Sequence, residues 1–155
     1  MRPSLAEDPA IGLYVHIPFC LAKCGYCDFT SYAGLEALFS GYTSALVQEM
    51  EGTGPAGVRT IYVGGGTPTV LPPSELAKLL DAAQRQFRLD AQAEISIEAN
   101  PGTLDPKRLG QLRAAGFNRL SLGVQSFDDQ ELQTLGRIHS ARDAIHAVQH
   151  SRQAG

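Results

Sequence analysis

Tyr14-Val-His-Ile-Pro-Phe-Cys-Leu-Ala-Lys-Cys-Gly-Tyr-Cys-Asp28 is the stretch on which the reading of this 155-residue chain turns. Its three cysteines, Cys20, Cys24 and Cys27, are the only ones in the chain, spaced C-x3-C-x2-C directly after a short β-branched run. Three thiolates on one short loop can hold three irons of a [4Fe-4S] cube and leave the fourth iron open. Such cubes are usually held by four thiolates, so a missing fourth protein ligand suggests a position for a small molecule. Two other uses of the thiols stay open at this point. A structural Cys3His zinc site, with His16 or another histidine, would normally pair a short knuckle with a second, distant pair of ligands. Cys24 and Cys27 have C-x2-C knuckle spacing, and no second C-x2-C pair follows. Thiols unrelated to any metal are the third use. A disulfide framework is disfavoured by the odd count and the lack of a secretory segment.

Length and composition bound the rest. With 43% hydrophobic residues the chain suits about one domain with a buried core. The net charge is −3 and the basic residues are scattered, so no Lys/Arg stripe matches a nucleic-acid backbone. The first ten residues include Pro, Glu and Asp but no apolar signal region. No run reaches the roughly 18 apolar residues of a transmembrane segment. These features predict a cytoplasmic protein in a reducing compartment, which suits free thiols.

Strand and helix signals alternate along the chain. Short apolar runs at Leu13 to Ile17, Arg59 to Val63, Ala93 to Ile97 and Arg119 to Gly123 have the length of buried strands. Leu35, Leu38, Phe39, Tyr42 and Leu46 share one helical face, as do Leu76, Leu79, Leu80, Ala83 and Phe87. Helix starts are signalled by Ser74 after two prolines and by Asp105 before Pro106, and a stop by Gly116. Ser126 with Asp129, and Ser140 with Asp143, have capping-box spacing with Asp in place of Glu. Repeated βα units of this kind predict an α/β fold with a parallel sheet and right-handed crossovers, open or curled toward a barrel.

Working residues in such sheets gather at the carboxyl ends of the strands. The cysteine loop follows the first strand, Gly64-Gly65-Gly66-Thr67-Pro68-Thr69 the second, Glu98-Ala-Asn-Pro101 the third and Gly123-Val-Gln125-Ser126 the fourth. These four segments are expected to converge on one site. The last helix runs toward Gly155 as a C-cap, where a further strand would begin. The rhythm therefore predicts a lead segment at 1–12 and a core domain at 13–155 that is the N-terminal portion of something longer, prone to self-association.

The strings Tyr14-Val-His-Ile-Pro-Phe-Cys20, Cys27-Asp-Phe29, Gly64-Gly-Gly-Thr-Pro-Thr69, Glu98-Ala-Asn-Pro-Gly102 and Leu120-Ser-Leu-Gly-Val-Gln-Ser-Phe127 together resemble the radical SAM superfamily. Within it they resemble the oxygen-independent coproporphyrinogen III oxidase group, and there the HemW-type heme chaperones, over roughly residues 12–155. The resemblance implies a partial (β/α)6 barrel with about four βα units present. It implies that Cys20, Cys24 and Cys27 ligate the cube while the amine and carboxylate of S-adenosylmethionine chelate the open iron. One electron from the reduced cluster would then cleave the sulfonium to methionine and a 5′-deoxyadenosyl radical.

Each remaining candidate has a physical case beside a plain one. Gly64, Gly65 and Gly66 lack side chains, so backbone groups can approach a ligand, by resemblance the methionine amino end of the cofactor with Thr67 beside it, or they make an ordinary turn. Tyr14 reaches the cofactor carboxylate with its hydroxyl, or fills a strand face. Glu98 is a carboxylate in an apolar strand and needs a partner if buried; by resemblance it contacts the nucleoside, and otherwise it forms a salt bridge. By resemblance Gln125 and Arg137 line the S-adenosylmethionine site, and Tyr26 packs against the adenine side. His16 is explained by strand alternation. His146 and His150, four apart on the last helix, could bind metal or heme, but they and His139 are read as solvated.

The oxidase group carries a fourth cysteine two residues after the third, where this chain has Phe29. That departure disfavours coproporphyrinogen oxidation to protoporphyrinogen IX and points to a heme chaperone that keeps the cluster and S-adenosylmethionine site. The partners implied are heme or porphyrin, a heme-acceptor protein and an electron donor, with no nucleic acid.

Overall fold

The computed structural model describes residues 11–155, so all but the end of the expected lead segment lies outside the described residues. Four parallel strands form the main sheet: β1 Ile11–Ile17, β4 Gly57–Gly65, β5 Arg88–Ala99 and β6 Arg119–Leu122, side by side in that order. Two short strands, β2 Phe19–Cys20 and β3 Tyr32–Ala33, pair parallel to each other and close the cysteine loop. The helices are α1 Phe39–Glu51, α2 Pro73–Gln86, α3 Pro106–Ala115, α4 Asp129–Thr134 and α5 Ala141–Gln153. This is the α/β arrangement with a parallel sheet that the alternation of signals predicts.

Side chains alternate across a strand, and the alternation here separates core from site. Val15 and Ile17 of β1, Ile61 and Val63 of β4, and Ile95 and Ile97 of β5 are buried in one core with Leu76, Leu79, Leu80 and Ala83 of α2 and Phe87 after it. The intervening positions are Tyr14 and His16, Tyr62 and Gly64, Ser96 and Glu98, and Ser121. Their register aligns Tyr14 with Tyr62 and Ser96, and Glu98 with Ser121, so a mostly polar strip crosses all four strands. The α2 face alone, fully burying five side chains of Leu and Ala, contributes on the order of several kcal/mol by area.

Local differences from the sequence expectations have local causes. Residues 36–38 wind as a 3-10 turn before α1, and its three-residue period turns Leu35 and Leu38 away from the core stripe. Strand β5 begins five residues earlier than expected, because Arg88 and Leu89 pair with Gly57 and Val58 before a bulge. The Asp90 carboxylate accepts the Gln92 N–H within that bulge. Pro73 occupies the first turn of α2 and Pro72 precedes it, so Ser74 makes no cap. Asp128, rather than Ser126, caps α4 by accepting the N–H groups of Gln130 and Glu131. Asp105 caps α3, Gly116 ends it in the left-handed region, and Ser140 with Asp143 forms a complete capping box on α5.

Candidate functional site

The carboxyl ends of β1, β4, β5 and β6 open into a cavity of about 770 Å3, within the size range of small-molecule sites. Tyr14, Cys20, Cys24, Tyr26, Cys27, Gly65, Gly66, Thr67, Glu98, Gln125 and Arg137 all line it. Every candidate residue read from the sequence is thus brought to one place. A second groove of about 430 Å3, between α3, β6 and α5, is more apolar and holds none of these residues.

Strand β1 delivers the chain to the cysteine loop, and the β2–β3 ladder holds that loop against the second strand end. Gly66 N–H donates to the Ile17 carbonyl at 2.8 Å and Thr67 N–H to the Phe19 carbonyl at 2.8 Å. A Cβ at position 66 would fall 2.6 Å from the Phe19 oxygen and 3.0 Å from Cys20 Sγ, so the close approach requires glycine. Gly65 has φ +120°, and a side chain there would collide with the His16 ring. Inside the loop the Cys27 N–H donates to the Cys24 carbonyl at 3.0 Å.

The three thiols are free and half-buried. Cys20 Sγ lies 3.6 Å from the Thr67 hydroxyl, and Cys24 Sγ lies 3.7 Å from the Gly136 carbonyl oxygen. Arg137 Nη1 donates to Cys24 Sγ at 3.5 Å, while Nη2 donates to the Gly123 carbonyl. The Arg137 Nε is buried and has no hydrogen-bond partner within the protein. A donor left in that state costs stability unless a ligand meets it. Among the described residues no three Cys, His, Asp or Glu side chains converge as ligands of a single metal ion. A cube places each thiolate on a different iron, so soft donors spread along one loop fit it, and the glycine edge leaves room beside them.

Glu98 accepts the Tyr62 hydroxyl on Oε1 at 2.5 Å and the Gly65 N–H on Oε2 at 3.0 Å. Its partners are therefore a phenol and an amide, in place of the cation that a salt-bridge reading supposes. The bond to Glu98, then burial, raises the Tyr62 pKa, which keeps the phenol a donor. Tyr14 is raised by burial first and by the Glu98 charge second, and its hydroxyl sits 2.8 Å from Nδ1 of His16. Gln125 is the only non-glycine residue with positive φ among the described residues, at 71°. Such a backbone stores on the order of 1–3 kcal/mol of strain and concentrates at functional sites.

Among the lining residues, sequence reasoning set His16 aside and did not single out Tyr62, Asn100 or Ser121. The period-two pattern holds the signal for three of them, since Tyr62 precedes Gly64 by two and Ser121 precedes Gly123 by two, while His16 follows Tyr14. His139 departs from the solvated reading. It is 5% exposed, with Nδ1 3.0 Å from Asn100 Oδ1 and Nε2 3.0 Å from the Val124 carbonyl oxygen, so it ties the third strand end to the fourth. His146 and His150 lie on α5 with ring centroids 5.9 Å apart, outside the cavity.

A model of the Radical SAM superfamily matches residues 14–155. The chain is 41% identical over 149 residues to the heme chaperone HemW of Escherichia coli (strain K12), a match covering 93% of this chain and 39% of that protein. It is 41% identical over 147 residues to the heme chaperone HemW of Bacillus subtilis (strain 168), covering 92% and 39%. The chain thus spans about two fifths of the length of these curated relatives. The solved structure of the Escherichia coli coproporphyrinogen III oxidase HemN, a radical SAM enzyme, superposes with a TM-score of 0.89 at 33% identity, covering 96% of this chain and 35% of that one. Methylornithine synthase PylB superposes with a TM-score of 0.58 at 17% identity, over 94% of this chain and 42% of that one, a likeness of fold alone.

Proposed function

The chain belongs to the radical SAM superfamily, and on that premise we propose that Cys20, Cys24 and Cys27 hold a [4Fe-4S] cluster beside an S-adenosylmethionine site, in a protein that passes heme to acceptor proteins. Superfamily membership implies the cluster and S-adenosylmethionine. The observation that carries the assignment to these residues is their convergence on one cavity with the glycine edge, Glu98, Gln125 and Arg137. When bound, the two groups supply one-electron cleavage of a sulfonium C–S bond and hydrogen-atom abstraction.

The chain's own residues bind and orient. The three cysteines provide thiolates, and the Arg137 donor stabilises the charge on Cys24. Gly65 and Gly66 give the methionine end a backbone edge free of side chains, with the Thr67 hydroxyl beside Cys20 at its end. Glu98, held by Tyr62 and Gly65, faces the nucleoside, while Tyr14, Tyr26 and Gln125 line the remaining wall. The core domain spans residues 13–155, acts in the cytoplasm and takes its electron from a donor protein.

Heme transfer is supported by the identity to two HemW chaperones and by Phe29. That side chain is 70% exposed and has no thiol to offer where the oxidase group places its fourth cysteine. Oxidation of coproporphyrinogen III is the second reading, favoured by the superposition on HemN. Among the described residues no helix is long and apolar enough to cross a membrane.

Electron paramagnetic resonance of the anaerobically reconstituted, dithionite-reduced chain tests the site. The expected result is a cubane signal that changes on adding S-adenosylmethionine and disappears in Cys24→Ala. Stoichiometric zinc with no cluster would overturn the assignment. In the longer protein, tight heme binding without conversion of coproporphyrinogen supports the chaperone, and the reverse selects the oxidase.

A further inference from the structure

Two hydrogen bonds meet on the Val124 carbonyl, and one of them comes from a buried side chain that has no role in the assignments so far. The Ser126 N–H donates to that oxygen at 3.0 Å, closing a three-residue turn around Gln125. With φ at 71°, Gln125 sits at the centre of the rare, strained form of such a turn. His139 Nε2 lies 3.0 Å from the same oxygen. A carbonyl oxygen only accepts, so Nε2 carries a proton and donates whatever the charge on the ring. The oxygen has two lone pairs, and both are now taken. The peptide plane between Val124 and Gln125 must rotate if φ of Gln125 is to relax, and these two bonds hold it.

The imidazole can serve as a fixed point because its other edge is anchored too. His139 Nδ1 lies 3.0 Å from Asn100 Oδ1, an oxygen that also accepts the Gly102 N–H at 3.0 Å. The Asn100 carbonyl accepts the Thr103 N–H at 2.9 Å and the Thr103 hydroxyl at 2.7 Å, so Asn100 is itself held at the end of β5. What the turn presents is the Gln125 side chain. A Cβ at position 123 would fall 3.4 Å from Arg137 Nη2 and 3.5 Å from Gln125 Nε2, so the carboxamide folds back over Gly123 beside the guanidinium, on the cavity wall. With an ordinary negative φ the same side chain would leave the backbone in another direction and lose that place.

Resting on the S-adenosylmethionine reading, we propose that His139 is a positioning residue of that site, whose Nε2–H pins the Val124 carbonyl and so holds the Gln125 carboxamide on the cavity wall. His139 stands behind the lining rather than in it, and it acts through Gln125. Its effect on the ligand therefore depends on one ring nitrogen and on one other side chain. Glutamine carries its amide nitrogen at the place of Nε2, and asparagine at the place of Nδ1. His139→Gln keeps a donor for Val124, whereas His139→Asn keeps a partner for Asn100 and leaves Val124 without its second donor.

Equilibrium dialysis of S-adenosylmethionine against the cluster-loaded 155-residue chain tests this. His139→Asn is expected to weaken binding about tenfold, and His139→Gln to stay within about threefold of wild type. In a Gln125→Ala background, His139→Asn is expected to cause no further loss, the signature of residues acting as a unit. The electron paramagnetic resonance of the reduced cluster without ligand is expected to be the same in both histidine variants. Wild-type affinity in His139→Asn, equal losses in the two variants, or a loss that adds to that of Gln125→Ala would overturn the proposal. So would a His139→Asn chain that fails to fold or to load its cluster, because the ring would then be a general prop. A cluster-loaded wild-type chain that binds no S-adenosylmethionine would instead refute the S-adenosylmethionine reading, and the proposal with it.

Discussion

The tightest point of the cavity is the strand end at Gly66, where a single methyl group would meet two atoms that cannot both retreat. The Phe19 carbonyl is held in the backbone, and Cys20 Sγ is a proposed cluster ligand, so relaxation away from one drives the clash into the other. Gly66→Ala is therefore expected to lose most of its iron and acid-labile sulfide after reconstitution, and to unfold about 1–3 kcal/mol more easily, in the range of overpacking. Iron content near wild type, with thermal stability unchanged, would show that the loop moves aside. Gln125 makes the opposite bargain with the backbone: it accepts a left-handed conformation that glycine adopts freely, so its side chain justifies the strain only by what it reaches.

Helix α5 shows how a capping pattern becomes an energetic statement. Ser140 Oγ accepts the Asp143 N–H, and the Asp143 carboxylate accepts the Ser140 N–H at 2.8 Å, satisfying two donors that the helix cannot. The Ser140 backbone bond, then its hydroxyl, lowers the Asp143 pKa below its ordinary 3.8. A depressed folded-state pKa contributes stability above the unfolded value and loses it as pH falls through the folded one. Urea unfolding of Asp143→Asn against wild type is expected to show a full difference at pH 6, about 0.5–1 kcal/mol by the usual worth of a cap, shrinking toward zero below Asp143's depressed pKa. A difference independent of pH would assign it to shape rather than charge. The α5 and α3 caps were readable because both partners sit within three residues. Ser126 misled because the helix begins two residues later than its spacing implies: its hydroxyl accepts the Asp128 N–H, and Asp128 accepts those of Gln130 and Glu131. The strands were readable from apolar runs, and the strand ends from glycines and isolated polar residues. Tyr62 and His139 were hidden because their meaning lies in partners 36 and 39 positions away, which no local pattern encodes.

At the level of the whole molecule, β6 has a single neighbour in the main sheet among the described residues, and beside it the α3–α5 groove is lined by Leu112, Phe117, Leu122 and the exposed Val148. An unpaired parallel edge next to an apolar groove invites pairing with another chain. The 155-residue chain is expected to self-associate at micromolar concentration in sedimentation velocity, and Val148→Lys to shift it toward monomer; a monodisperse wild-type monomer would contradict this. The molecule is also closed across its length by one small contact. Cys24 Sγ meets the Gly136 carbonyl and the Arg137 guanidinium, 112 and 113 positions further on. At about 5–20 residues per second, a ribosome that has just made the cysteines needs on the order of ten seconds to supply the residues that shield them. The thiols are thus born first and sheltered last, so oxidants reach a nascent chain more easily than a finished one, and iron and sulfide have a proper place to go only after the fourth unit has emerged.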